Sequence, residues 1–292
     1  MIDWGEMRET SGKKLQAESI IADVSAASGA SIDVLVYDSI DSTNTWSLQQ
    51  CKAGKALPFA CFAEQQTSGK GRRGKQWLMQ PHNNIAMSLS WPFAISYQQM
   101  HLLPLAISMA IVDTLESIKL DDVQVKWPND VYVRGRKIAG ILIETQPVRK
   151  EQVDMISVDS RHVAAVIGIG LNYDMSLLRH DVSSELPELT DICYELESGQ
   201  QREPPERSRV ASLLMQHVVQ VCQCFQKDAE RYLERFRARY DFCIDKNVEI
   251  ILDNGERRTG VATGVNDNAE LLVMIDGKRH TLNSAVVSVK AL

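Results

Sequence analysis

The six cysteines of this 292-residue chain form no CxxC pair and follow no regular spacing, which argues against both a zinc site and a disulfide framework. Free thiols in a reducing compartment are the reading that remains. Cys222 and Cys224, two apart inside a helical pattern, read as two core thiols rather than a ligand pair. The N-terminus, MIDWGEMRETSGKK, has no apolar run of signal-peptide length, and no later stretch reaches the ~20 apolar residues of a membrane span. The expectation is a cytoplasmic protein without membrane contact. Positive charge is in short supply too: the formal charge is -6 and the pI about 5.6. That balance does not suit an affinity built on neutralising many phosphates, so DNA is not an expected partner. Internal repeats and low-complexity segments are missing as well. What is left is an ordinary globular composition, 44% apolar and 24% charged, long enough for one large domain and a module of ~50 residues.

Along the chain, a short helical pattern from Leu15 to Val24 is followed by SAASGAS, whose small residues read as a linker. Residues 1–32 are thus an extension too short for a folded domain. From Asp33 the types alternate: an apolar run Val34 to Tyr37, a helix opening at Ser42-Thr43-Asn44, and a strand Phe59 to Glu64. Ile85 to Trp91 alternates like a strand, and Leu102 to Leu115 has the 3.6 spacing of a buried helix. Val123 to Lys126 reads as a strand, with hairpin arms Val131 to Val133 and Lys137 to Glu144 around Arg134-Gly135-Arg136. Glu144 to Arg161 shows no clear periodicity. Val163 to Ile169 is a continuous apolar run, as in a buried central strand. Glu203 to Arg209 is polar, and helical spacing then holds from Val210 to Tyr240. From Asn247 five short strand-like runs are separated by Asp253-Asn254-Gly255, Asn266-Asp267-Asn268 and Asp276-Gly277, all hairpin signals. The division is 33–243 for an α+β domain on a mixed sheet and 244–292 for a small β-barrel.

The most informative segment is Gln65 to Trp77. Between Gly69 and Lys75 it places three glycines, two arginines and two lysines. Glycines let backbone N–H groups approach a phosphate and the cations neutralise it, so the composition points to anion chemistry; the bland alternative is a solvated basic turn. Gly69 to Gly74 satisfies GxGxxG, but KQWLMQPHNN does not open a helix, so it is no dinucleotide fingerprint. Gly69 to Lys75 satisfies GxxxxGK, yet Gln76 stands where a P-loop needs Ser or Thr.

Taken with Lys126-Trp127-Pro128-Asn129-Asp130, Lys137-Ile138-Ala139-Gly140-Ile141-Leu142-Ile143-Glu144 and Gly168-Ile169-Gly170-Leu171-Asn172, the loop resembles the core of the biotin protein ligase family. The resemblance runs from about Val34 to Leu292. It implies a catalytic domain of the class II synthetase-like biotin/lipoate ligase type with a C-terminal SH3-like barrel. It also implies the activity of a biotin-[acetyl-CoA-carboxylase] ligase: ATP adenylates biotin, and a lysine of a biotin carboxyl carrier protein takes the biotinyl group. The chain departs from bifunctional members at its N-terminus, where ~30 residues cannot form a winged helix, so no repressor function is expected.

By that resemblance, Lys70, Arg72, Lys126 and Lys137 bring two anions together, carboxylate and triphosphate, by electrostatic stabilisation. Lys70 stands where the family also uses Arg. Biotin is expected at Ser42, Thr43, Asn44, Gln66, Gly69, Arg72, Lys137 and Gly140, and ATP or adenylate at Arg72, Arg73, Trp77, Lys126, Asn129 and Asn172. Read without it, Ser42-Thr43-Asn44 is an ordinary helix cap, Trp77 a core anchor and Asn172 turn chemistry. Asp130 is given two roles, orienting the incoming lysine or holding a lysine of the site, against the bland alternative of a turn cap after Pro128. Magnesium is expected with ATP, but no acidic cluster marks its ligands. Gly69 to Gln76 is expected to close over the adenylate and keep water out. Alternatives are a lipoate or octanoyl ligase-like enzyme and a non-catalytic biotin-binding regulator. The oligomeric state, monomer or homodimer, is open.

Overall fold

The apolar run that begins at Val163 forms the middle strand of a seven-stranded sheet, where both its faces are covered. The computed structural model describes residues 13–94, 97–148, 150–153, 163–176, 189–200, 202–252, 255–284 and 287–291. The sheet contains β1 (Asp33–Tyr37), β2 (Phe59–Ala63), β3 (Asn84–Phe93), β4 (Val123–Lys126), β5 (Asp130–Val133), β6 (Arg136–Pro147) and β7 (Val163–Asn172). Its order is β1-β2-β3-β7-β6-β5-β4. Only β1 and β2 run parallel, so the sheet is mixed. Arg134 and Gly135 both take positive φ, 48° and 74°, the geometry of a tight two-residue hairpin that carries β5 into β6.

Side chains alternate across a sheet with period two, and β7 divides its work accordingly. Ala165, Ile167, Ile169 and Leu171 join the main core on the face packed by α1 (Ala17–Ser28), α3 (Leu103–Ser117) and α5 (Arg207–Arg235). Ala164 and Val166 join a smaller cluster with Phe59 and Cys51, on the face covered by α2 (Thr43–Ala53). Gly168 and Gly170 continue that second face and leave it without side chains. An 18-residue window made of α3 and the helical turn before it, Met100–Ser117, is apolar enough to cross a membrane, but 67% of it is buried inside the molecule, against α5 and the sheet.

A second, antiparallel sheet holds β8 (Asn247–Leu252), β9 (Arg257–Val265), β10 (Leu271–Ile275), β11 (Lys278–Leu282) and β12 (Val287–Ala291), ordered β11-β10-β9-β8-β12. These are the five runs read from the sequence. The Trp127 indole donates to the Ala269 carbonyl at 2.7 Å, tying the second sheet to the strand connection of the first.

Several sequence expectations need correction. SAASGAS is not a linker through its length: α1 runs to Ser28, with Ile20 and Val24 buried, because its apolar stripe has α5 to pack on. β6 continues past Glu144 to Pro147 through a ladder with β7 that local periodicity cannot show. α5 starts at Arg207 and hands over to a turn of π-helix, Phe236–Tyr240. α4 (Ile192–Gln200) was not anticipated at all. Of the cysteine pair only Cys222 is buried, while Cys224 is half-buried. The first twelve residues of the N-terminal extension and the Asp253-Asn254 hairpin signal lie outside the described residues.

Candidate functional site

The side-chain-poor part of the second sheet face becomes a cleft of about 220 Å³. Its floor is Gly140 on β6 and Gly168 and Gly170 on β7, brought together by the pairings Gly140↔Gly170 and Leu142↔Gly168. Nothing larger fits in two of these places. A Cβ on Gly170 would lie 2.5 Å from Cζ2 and 2.7 Å from Nε1 of Trp77, and one on Gly168 would lie 2.8 Å from Cγ of Asn44. The Trp77 indole therefore lies flat against the β7 backbone, half-buried, with Lys137 Nζ 5.6 Å from its ring centroid. Its Nε1–H is buried without a partner among the described residues.

One wall is the loop. Trp77 N donates to the Gly69 carbonyl and Gly71 N to the Lys75 carbonyl, so residues 69–77 close on themselves and project Lys70, Arg72 and Arg73 at the cleft. Arg73 takes a left-handed φ of 56°, and Gly74 follows it at φ 72°, a conformation that glycine adopts freely. Arg72 donates to Asn129 Oδ1 at 2.9 Å and to the backbone carbonyl of Ser284 between β11 and β12. It thereby spans the loop, the Trp-Pro turn and the second sheet. Burial pulls its pKa down, Asp130 opposes that, and neighbouring Arg73 adds to it; the guanidinium remains a cation throughout.

The opposite wall comes from β4 to β6. Lys137 pairs with Asp130 at 2.8 Å, so Asp130 holds a lysine, one of the two roles read from sequence. Asn129 is held at both ends of its amide: it accepts from Arg72 and donates to the Ile141 carbonyl at 2.8 Å. Lys126 lies over the Tyr132 ring, 5.6 Å from its centroid. Around the rim stand six cationic residues, Lys70, Arg72, Arg73, Lys75, Lys126 and Lys137, against one acid, Asp130. Such an imbalance holds an anion.

The inner end is different, polar but uncharged. Ser42 caps α2 by accepting from Thr45 N, the ordinary cap reading of that triplet, and it lines the cleft as well. Gln66 Oε1 accepts from Thr43 N at 2.9 Å and from Thr43 Oγ1 at 3.1 Å, which leaves the Gln66 amide nitrogen toward Met79 Sδ, 3.7 Å away. Asn44 is buried to 4% exposure.

Two expected site residues are placed elsewhere. Asn172 does not line the cleft: its side chain is buried, accepting from Asn84 at 3.0 Å and donating to the Thr190 carbonyl at 3.0 Å, so its amide serves the end of β7. Gly69 lies behind the loop, lining a second hollow with Ser68 and Glu144. Residues missed from sequence are Lys75, Leu142 and Val289, which line the cleft, and Glu195, which is 1% exposed and takes Arg134 and Arg136 at 2.7 and 2.6 Å. Only α4 brings Glu195 to that hairpin, and the sequence carried no signal for it. Among the described residues no group of three or more His, Cys, Asp or Glu could hold a metal, so these residues do not make a magnesium cage.

Comparison with known proteins gives a consistent answer. Residues 36–160 match the model of the biotin/lipoate A/B protein ligase family. The bifunctional ligase/repressor BirA of Bacillus spizizenii is 30% identical over 248 residues, covering 82% of this chain and 69% of that protein. Its namesake in Escherichia coli is 28% identical over 268 residues, or 90% and 74%. In fold, the chain is similar to the biotin protein ligase from Aquifex aeolicus solved with biotin and ATP, with a TM-score of 0.68 at 20% identity over 89% of this chain and 99% of that one.

Proposed function

The chain belongs to the biotin/lipoate A/B protein ligase family, and from that premise we propose how this cleft ligates biotin at the expense of ATP. The observation that carries the reading is the division of the cleft into two chemistries. Six cations surround a glycine floor at one end, and an uncharged nook of hydroxyls and amides closes the other. A molecule with a neutral polar ring and a carboxylate tail fits that polarity, with its carboxylate reaching the cations where the triphosphate also binds.

In the first step a carboxylate oxygen of biotin attacks the α-phosphorus of ATP, forming the acyl-phosphate bond and releasing pyrophosphate. Arg72, Lys126 and Lys137 offset the charge that accumulates as two anions meet, an effect enlarged where water is excluded. Asp130 keeps Lys137 in place for this. Lys70 and Arg73 hold the outer phosphates, and Trp77 supplies an aromatic face for the adenine. In the second step a carrier lysine amine attacks the biotinyl carbonyl, AMP leaves, and the amine gives up its proton. Ser42, Thr43 and Gln66 bind the urea ring, while Asn129 positions Arg72. Magnesium enters with the nucleotide phosphates. The partner is the carrier domain of a biotin-dependent carboxylase, the setting is the cytoplasm, and the second sheet is an SH3-like module that steadies Arg72 through Ser284.

Biotin-dependent release of pyrophosphate from ATP tests the first step without any carrier. The expected result is release that requires biotin and is absent with lipoate. Release with lipoate and none with biotin would reassign the site to the lipoate branch of the family.

A further inference from the structure

Glu144 belongs to none of the motif roles above, yet it reaches the inner end of the cleft from behind. Pairing across β3, β7 and β6 sets Ser88, Gly168 and Leu142 in one row, and the Asn44 side chain lies over that row because Gly168 leaves it room. Asn44 Nδ2 donates to the Leu142 carbonyl at 3.2 Å and to Glu144 Oε2 at 3.0 Å. Ser88 Oγ approaches Asn44 Oδ1 at 2.6 Å and Thr43 Oγ1 at 2.8 Å.

Counting protons fixes the polarity. A carbonyl and a carboxylate are both pure acceptors, so both hydrogens of the Asn44 amide are spent on β6. The amide oxygen is left toward Ser88 and the cleft, with one lone pair spare. Ser88 has a single hydroxyl proton and gives it to Asn44 Oδ1, the shorter of its two contacts. The Gln66 amide nitrogen, which among the described residues donates to Met79 Sδ at 3.7 Å, keeps donor capacity for a second bond. The nook thus offers a donor at Gln66 and an acceptor at Asn44, the pattern that a cyclic urea needs for its C=O and N–H.

We propose that Glu144 is a positioning residue for biotin specificity: its carboxylate locks the Asn44 amide with oxygen toward the cleft, and so creates the acceptor for a ureido N–H. This rests on the biotin reading of the cleft. With Glu144 replaced by an apolar group, the amide has one fixed acceptor instead of two and can turn its NH2 toward the ring, opposing like groups.

The test is a pair of variants assayed by biotin-dependent pyrophosphate release. Glu144→Met is expected to raise KM for biotin about tenfold, the scale of one misdirected hydrogen bond, with KM for ATP and kcat within about twofold. Glu144→Gln, whose side-chain carbonyl still accepts from Asn44, is expected to return KM for biotin to near the unmodified value. An unchanged KM for biotin in Glu144→Met, or equal losses in kcat and both KM values, overturns the proposal. If Glu144→Met does not fold, the reciprocal swap decides: Asn44→Asp sets two carboxylates together, and adding Glu144→Gln supplies a donor that should recover biotin affinity about tenfold. No recovery refutes the assignment. If the unmodified protein itself fails to use biotin, it is the functional reading that falls, so the two failures are separable.

Discussion

Substituting Gly170 by alanine tests whether the Trp77 seat controls the chemistry. The added methyl would lie 2.5 Å from Cζ2 and 2.7 Å from Nε1 of the indole, where carbon contacts settle near ~3.5–4.0 Å. The ring must therefore retreat by about 1 Å or more, and the β7 backbone beneath it is fixed by ladders with β3 and β6. A buried Trp covers roughly 150–250 Å². For a half-buried indole, at about 25 cal/mol per Å², losing the seat costs about 2–3 kcal/mol. That is roughly a 30- to 150-fold drop in the population of the seated loop. Two assays read it: trypsin cleavage at Arg72 and Arg73, expected to accelerate, and the rate of biotin-dependent pyrophosphate release, expected to fall by a similar factor. Unchanged cleavage together with a release rate within twofold of the unmodified protein would refute the role given to the seat.

Three further outcomes follow from the same physical reasoning. Glu195→Ala removes a buried carboxylate that grips Arg134 and Arg136 and accepts from Thr190 Oγ1 at 2.5 Å. Thermal unfolding should show a loss of about 2–3 kcal/mol, and kcat should fall roughly tenfold because the hairpin leading to Lys137 loosens. Glu64→Gln leaves Arg207, which it meets at 2.6 Å with both side chains under 5% exposed, buried beside a neutral amide. Urea denaturation should report a loss of roughly 3–5 kcal/mol. His217, 3.0 Å from Thr114 between α5 and α3, is held below its ordinary 6.5 by burial, with Asp113 opposing and Arg235 assisting. The folded state then binds fewer protons than the unfolded one, so its contribution is complete above pH 6.5 and declines as pH falls toward the lower folded value. His217→Gln should flatten the fall in urea midpoint between about pH 7 and pH 5.

Much of the site was legible because its parts are local. The basic glycine loop announces anion chemistry by composition, whereas Lys126-Trp127-Pro128-Asn129-Asp130 and the β6 segment were read through the family resemblance, and the sheet brings the three together. The glycines of β7 were visible too, though not their purpose, which depends on the face of the strand they occupy and on an indole from 93 positions earlier. Asn172 misled because an asparagine after a strand looks alike whether it faces a ligand or caps the sheet. Its buried bonds to Asn84 and Thr190 are long-range. The Glu64–Arg207 pair, the Glu195 grip and the contact of Asn44 with Glu144 link residues 143, 59 and 100 positions apart, and no periodicity encodes such distances. For the fold, period-two and 3.6 patterns placed the strands and the long helices. They missed α4, which is nine residues long, and the far end of β6, where pairing with β7 decides the structure and not local preference.

The most direct test of the central claim is transfer of labelled biotin to a purified biotin carboxyl carrier domain with ATP and magnesium, run beside Arg72→Ala and a lipoate control. Label on the carrier lysine that requires ATP, is lost with Arg72→Ala and is absent with lipoate is the predicted result. No transfer of biotin by the unmodified protein, or preferential transfer of lipoate, would contradict it.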